Sequence, residues 1–175
     1  VTNYPAISPI RTDRLTLRGL AARDLPGYVA YRQSPRSSVP TATMTAEAAT
    51  EMFNAMVAQW TARGFGRYAI TTDPEQPGFG HVGLLQASDE DEAEMTWTLW
   101  NESVSGQGYA TEATRAILTE LFAKGWQSIP AYIDRDNAAS LKMAARLGAA
   151  EDTATPPPAH FSTARRFVLT PEGMS

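Results

Sequence analysis

The sequence predicts a single α/β domain in which a mixed β-sheet is flanked by helices. Three observations lead there: a length and apolar content that fit one core, an alternation of period-two with three-and-four hydrophobic patterns, and a glycine-marked passage from strand to helix near the middle. The 175 residues are 43% hydrophobic, enough for one compact core and too few for two separate domains. The patterns run in the order strand, two helices, three strands, helix, strand, helix, two strands, without internal repeats.

Residues 14–18, Arg-Leu-Thr-Leu-Arg, alternate polar and apolar side chains and read as the first strand. Asp24-Leu25-Pro26 opens a short helix with Leu25, Tyr28 and Val29 on one face, ended by Ser34-Pro35, and residues 36–44, rich in Ser, Thr and Pro, read as a loop. From Thr45, a helix N-cap, the residues Ala49, Met52, Phe53, Met56, Val57 and Trp60 recur at amphipathic spacing until residues 63–66 break the pattern. Strands over 68–72 and 81–86 flank the turn-rich residues 73–78 and form an antiparallel hairpin. Residues 93–99 alternate strictly: Met95, Trp97 and Leu99 face a core, while Glu94, Thr96 and Thr98 face a cleft or solvent.

A glycine-containing loop then enters a helix whose Ala110, Ala113, Thr114, Ile117, Leu118, Leu121 and Phe122 form one stripe, ending near Gly125. A strand over 129–133 follows. Asp136 or Asn137 caps a helix that runs to Leu147-Gly148, and strands over 149–153 and 161–169 close the chain around a triple proline at 156–158. The unit from Met95 to Ile133 predicts a right-handed parallel crossover, which together with the hairpin makes the sheet mixed.

Composition narrows the function. With no cysteine, disulfides, thiolate metal sites and a cysteine nucleophile are excluded, and no metal is expected. Residues 1–10 lack a basic start followed by an apolar stretch, and no run of 18 apolar residues occurs, so a soluble, cytoplasmic protein without a membrane partner is expected. A net charge of -4 with scattered Arg and Lys argues against nucleic acid and suits a cationic substrate such as an amine.

The residues that carry chemistry begin at Ser105-Gly106-Gln107-Gly108-Tyr109-Ala110, between a strand and an amphipathic helix. Glycines allow close backbone approach to a phosphate, and free N–H groups at a helix N-terminus hold an anion. Taken alone, this pattern also describes an ordinary loop. No Lys-Ser or Lys-Thr follows the glycines, which argues against a nucleotide-triphosphate loop.

This segment resembles motif A of the GNAT acetyltransferase superfamily, Q/R-x-x-G-x-G/A, with Gly108 and Ala110 matching and Ser105 standing where Arg or Gln is usual. The substitution is expected to cost one charge-assisted hydrogen bond, roughly 1.5–3 kcal/mol. Asn137-Ala138-Ala139-Ser140, with Gly148 eleven residues after the Asn, resembles motif B. The opening Thr12 to Arg18 and the Glu-containing strand look like the branch that holds ribosomal-protein N-terminal acetyltransferases.

The resemblance implies one acetyltransferase domain: first strand and substrate-side helices over about 12–62, an acetyl-CoA core over about 65–148, and C-terminal strands over about 149–170. It implies a sheet splayed between the strands at Trp97 and Ala131, where the coenzyme arm inserts, and a cofactor set of Leu99, Trp100, Ser105, Gly106, Gln107, Gly108, Tyr109, Ala110, Asn137 and Ser140. The implied reaction is acetyl transfer to a primary amine, small molecule or peptide, by a monomer or homodimer. A catalytically silent acyl-CoA-binding module is the alternative.

Thioester aminolysis needs a neutral amine, which at pH 7 costs about 1 kcal/mol for an α-amine and on the order of 4.6 kcal/mol for a lysine. Glu94 is the favoured base, with Glu102, His81 and water as alternatives. The motif B tyrosine position is Ala144, so Ser140 takes the place of the general acid, as a hydrogen-bond donor to sulfur. Arg165 and Arg166 are expected to be solvated, and Tyr109 to serve packing.

Overall fold

The computed structural model describes residues 1–37 and 44–175, so most of the loop predicted over 36–44 lies outside the described residues. Five strands form one sheet in the order β1-β2-β3-β4-β5: β1 (Ile10–Arg11), β2 (Thr16–Arg18), β3 (Arg67–Thr71), β4 (Gly80–Leu85) and β5 (Glu94–Leu99). A second sheet has the order β6-β8-β7, from β6 (Ile129–Asp134), β7 (Ala150–Glu151) and β8 (Ala164–Leu169). The helices are α1 (Leu25–Arg32), α2 (Ala46–Arg63), α3 (Tyr109–Ala123), α4 (Ala138–Arg146) and a terminal turn α5 (Pro171–Met174).

The sequence places each major element within a few residues. Thr45 caps α2, its hydroxyl accepting from the Ala48 N–H at 3.0 Å, and Asn137 caps α4 by accepting from the Ser140 N–H at 3.1 Å. Met52 departs from expectation: it sits 39% exposed, on the outer edge of the α2 stripe. The short strand β1 and the turn α5 are additions, too brief for a periodic signal.

Alternation along β5 decides the layering. Met95 joins Leu84, Val82, Ile117 and Leu118 in a core between the sheet and α3. On the opposite face Ala69 and Trp100 meet Tyr28, Tyr31, Phe53 and Met56 of α1 and α2. Antiparallel register sets His81 beside Thr98 and Gly83 beside Thr96, with Arg67 across from Gly83, so these residues share the α1–α2 face with Glu94.

Every hydrogen-bonded strand pair among the described residues is antiparallel. The crossover through α3 brings β6 beside β5, yet no ladder joins the two: the strands splay where the resemblance implies, between Trp97 and Ala131, and the parallel ladder expected across the crossover does not form. Pro130 lies within β6 and has no N–H, a feature tolerated where no ladder bond is required. Side chains bridge instead, with Met95, Ile129 and Ala131 meeting over α3.

One buried ion pair ties β2 to the β3–β4 hairpin. Arg18 donates to both Asp24 carboxylate oxygens, at 2.8 and 2.9 Å, and to the Pro74 and Gln76 carbonyls; Asp24 also accepts from the Ala21 and Gly78 N–H groups. Because every lone pair in reach is used, the pair repays its desolvation, but either partner alone would be a stranded charge. Gly148 closes α4 at φ 71°, and a Cβ there would stand 1.7 Å from the Gly173 carbonyl oxygen.

Two stability outcomes follow from these contacts. Asp24→Ala is expected to cost about 3–5 kcal/mol in urea unfolding at pH 7, and the paired replacement Arg18→Met/Asp24→Leu to recover much of it. Gly148→Ala is expected to lose roughly 1–3 kcal/mol from backbone strain alone, with a further loss from the clash, read as a lowered melting temperature.

Candidate active site

Glu94 begins β5 and is half-buried. Burial pushes its carboxyl up to about 7, against the pull of the Arg67 charge, with Asp91 and Glu92 adding to the rise. Arg67 is the deepest cation of this face; burial draws its guanidinium down to about 10, so it stays charged at neutral pH. Tyr28 covers the cluster from α1, its phenol raised by burial and kept neutral. Gly83, between Arg67 and Thr96 in the ladder, takes φ 138°, and a Cβ there would stand 2.3 Å from the Gly66 carbonyl oxygen.

His81 lies in the same layer but is committed. Its Nδ1 accepts a hydrogen bond from Trp100 Nε1 at 3.0 Å, which leaves the proton on Nε2. Burial, and then the charges of Arg67 and Arg32, hold its pKa well below the usual histidine range. Glu102 lies beyond the strand in a short 3-10 turn, solvent-exposed and paired with Arg36. Glu94, raised to about 7, lies on the α1–α2 face of the sheet, whereas Glu102 lies outside it.

At the other end of β5 the chain turns through Ser105 to Gly108 into α3. Gly106 and Gly108 take φ 75° and 80°, and Gly108 is an N-cap without a side chain, so no side-chain hydrogen bond closes the first turn of α3. Tyr109 and Ala110 are the first helical residues and present N–H groups with the positive end of the helix dipole. Gln107 uses its amide to hold the Ser103 carbonyl at 2.9 Å.

Two arginines flank this loop, and motif spacing did not reveal either one. Arg14 donates to the Gln107 carbonyl at 2.8 Å and to Glu112 at 2.6 Å, and stacks 4.7 Å from the centre of the Tyr109 ring. Tyr109 therefore does pack, as expected, but as a platform for a cation. Burial raises the Glu112 carboxyl, yet hydrogen bonds from Thr12 and Arg14 outweigh it and hold the pKa low. Arg36 donates to Ser105 Oγ at 3.0 Å and also reaches the Leu99 carbonyl. A guanidinium thus sits where the motif lost its own charged side chain.

Across the splay, Trp97 Nε1 donates to Ser140 Oγ at 3.1 Å, joining β5 to the start of α4. Since Ser140 accepts that bond, its own proton is left for another acceptor. Glu94 and Ser140 are not hydrogen-bonded to each other and flank β5 from its two faces. Trp100 is 3% exposed: its indole serves His81 and its N–H bonds the Phe79 carbonyl at 2.8 Å. Arg166 is also committed, where solvation was expected: it bonds Asp152 at 2.5 Å and Glu92 at 2.9 Å, stitching the second sheet to the loop that leads into Glu94. Arg165 pairs with Glu151 at 2.7 Å.

The family model described as Acetyltransferase (GNAT) domain matches residues 14–150, a span that holds both glycine-marked segments and Glu94. The chain belongs to the GNAT acetyltransferase family. The fold of this GNAT domain is similar to an acetyltransferase from Agrobacterium tumefaciens at 28% identity and TM-score 0.82, over 95% of this chain and 96% of that one. It also resembles RimL, a ribosomal alpha-N-protein acetyltransferase solved with coenzyme A (16% identity, TM-score 0.74, 93% and 98% covered). A third likeness is to the microcin self-immunity acetyltransferase MccE, solved with acetyl-CoA and AMP (15% identity, TM-score 0.73, 91% and 93% covered). No curated protein matches the chain.

Among the described residues of this GNAT domain no helix is long and apolar enough to cross a membrane, and no group of three or more His, Asp or Glu could hold a metal ion. A cavity of about 120 Å³ lies on the α3 side between Trp60, Phe65, Leu121 and Trp126, and none of the site candidates lines it. The locked imidazole is directly testable. Across pH 5.5–8, ¹⁵N NMR of His81 is expected to show a neutral Nε2–H tautomer with no titration, whereas a midpoint near 6.5 would mean that the Trp100 bond does not hold.

Proposed function

We propose that the protein transfers an acetyl group from acetyl-CoA to a primary amine, with Glu94 as general base and Ser140 as hydrogen-bond donor to the thioester sulfur. The observation that carries this reading is Glu94: a half-buried carboxyl poised near pH 7, on the polar face of the strand that borders the splay. A base with that pKa accepts a proton from an amine without being fully protonated at working pH.

The residues at the splay fit the coenzyme. The uncapped first turn of α3, with Gly106, Gly108, Tyr109 and Ala110, would hold the pyrophosphate, and the flanking Arg14 and Arg36 add positive charge. Leu99, at the end of β5, and Asn137 and Ser140, at the start of α4, would line the pantetheine arm, whereas Trp100, expected beside them, is buried on the α1–α2 face with both N–H groups used. Since Oδ1 of Asn137 caps α4, its contact to the arm falls to the amide NH₂. When bound, acetyl-CoA supplies the activated carbonyl. The chain supplies the rest: Glu94 takes the amine proton, and Ser140, held by Trp97, turns its hydroxyl proton to the departing sulfur.

The likeness to RimL and MccE supports acetyl-CoA as the donor. It leaves two acceptor types, a peptide α-amine or a small-molecule amine, and the α-amine asks less of the base.

Calorimetry is expected to show acetyl-CoA binding without added metal, and Gly108→Val to weaken it, since φ 80° is unfavourable to a branched side chain. Binding only with a divalent metal overturns the backbone phosphate site. Glu94→Gln is expected to lower kcat by roughly 10²–10⁴-fold with little change in acetyl-CoA affinity, and to remove a rising limb near pH 7 from the kcat/KM profile.

The sign for stability is opposite. A carboxyl raised in the folded state favours folding fully below its unfolded pKa of about 4.3, and that benefit is lost as pH rises through about 7. Glu94→Gln is therefore expected to match wild type in melting temperature at pH 4.5 and exceed it at pH 8. A variant that overlays wild type in rate at every pH moves the base elsewhere.

A further inference from the structure

The α1–α2 face holds more positive charge than the protein itself answers. Among the described residues the Arg67 side chain makes no hydrogen bond or ion pair, and Arg32 makes one, to Met52 Sδ at 3.2 Å. The Nε atoms of both are shut off from solvent without a partner. A guanidinium carries five N–H donors, and leaving them unmet in the interior is costly, so buried arginines are ordinarily paired. Arg18 and Arg166, whose side chains are 10% exposed in this same chain, both are.

The two arginines are neighbours. Both contribute positive charge at His81, and both at Tyr28. Arg67 keeps part of its surface open to solvent although it lies deep in the protein. The ladder position across from it is Gly83, which at φ 138° lets the Gly66 carbonyl and the Arg67 backbone pack directly against β4. The nearby groups, Tyr28 and His81, are neutral, so no resident anion other than Glu94 offsets the two charges.

We infer that Arg67 and Arg32 form an anion anchor in the acceptor site, and that the acceptor is a small amine which itself carries a carboxylate, an amino-acid-like molecule. The carboxylate takes the unmet guanidinium donors, where a planar fork matches it in two-point fashion. The amine is thereby turned along the sheet surface toward Glu94. A simple cationic amine would instead meet two uncompensated positive charges beside the base, and is disfavoured. The net charge of -4 does not conflict, because the local field of the cleft is set by these two residues. This assignment rests on the acetyl-transfer reading and adds the acceptor class to it.

Initial-rate kinetics with acetyl-CoA and matched acceptors test it. L-methionine, L-phenylalanine and 4-aminobutyrate are each compared with the amine left when the carboxylate is removed, alongside an amidated peptide with a free α-amine. Wild type is expected to favour at least one carboxylate-bearing member over its partner and over the peptide by ten-fold or more in kcat/KM. Arg67→Met is expected to collapse that ratio to within about three-fold, through KM more than kcat, and Arg32→Met to reduce it.

Arg67→Lys keeps the charge but not the fork, and is expected to restore only part of the ratio. Equal or better rates on the decarboxylated amines or the peptide overturn the anchor, as does an unaltered ratio in both methionine variants. So does acetyl-CoA binding in calorimetry with no acceleration by any carboxylate-bearing amine. Failure of acetyl-CoA to bind at all marks instead the failure of the acetyl-transfer reading. Should Arg67→Met not fold, the wild-type ratio and Arg32→Met still decide.

Discussion

The missing ladder between β5 and β6 is the constraint around which this domain is arranged. Two strands lie side by side without exchanging backbone hydrogen bonds, and each is paired only on its far edge, β5 to β4 and β6 to β8. Unpaired edges in an interior are costly, so the neighbourhood compensates with side chains. Met95, Ile129 and Ala131 meet over α3, and the Trp97 indole reaches Ser140 across the gap. Pro130 removes one donor that would otherwise be stranded.

The two faces of β5 are solvated in opposite ways, and chemistry follows from that contrast. On the α3 side, apolar residues close the core. On the α1–α2 side, Glu94, Thr96, Thr98, Arg67 and His81 share a layer roofed by aromatic rings, including Tyr28 against Trp100 at 5.6 Å between centroids. Such a layer raises a carboxyl pKa and keeps an imidazole neutral by the same desolvation. It is also the part of the molecule where polar groups stay least satisfied, as functional sites commonly are.

Charge is handled differently at the coenzyme end. The α3 N-terminus offers a fixed dipole and bare N–H groups, and arginines from distant parts of the chain converge on it. Arg14 comes from the segment just before β2, Arg36 from beyond α1, and both are held by carboxylates, Glu112 and Glu102. These pairs are exposed, so each contributes little to folding. Their effect is to hold guanidinium groups beside the loop before any ligand arrives. The deeper pair, Arg18 with Asp24, does the opposite work: it is fully satisfied and fixes β2 against the β3–β4 hairpin.

The sequence by itself determined what is local and periodic. The α2 and α3 stripes, the Thr45 and Asn137 caps, the strict alternation from Glu94 to Leu99 and the glycine-opened helix at Tyr109 are all set by residues within one or two turns of each other. Hence the α/β class, the order of elements, the face carrying Glu94 and the phosphate-loop candidates could be read directly. Only the tertiary structure decided what depends on partners far apart in the chain. That Arg166 would be tied to Glu92 and Asp152, that His81 would give its Nδ1 to Trp100, and that Arg36 would stand beside Ser105 are outcomes of packing between residues separated by 14 to 74 positions. The Glu94 pKa and the unmet donors of Arg32 and Arg67 belong there too, because desolvation is a property of the surroundings that three packed layers create, and no spacing along the chain encodes it.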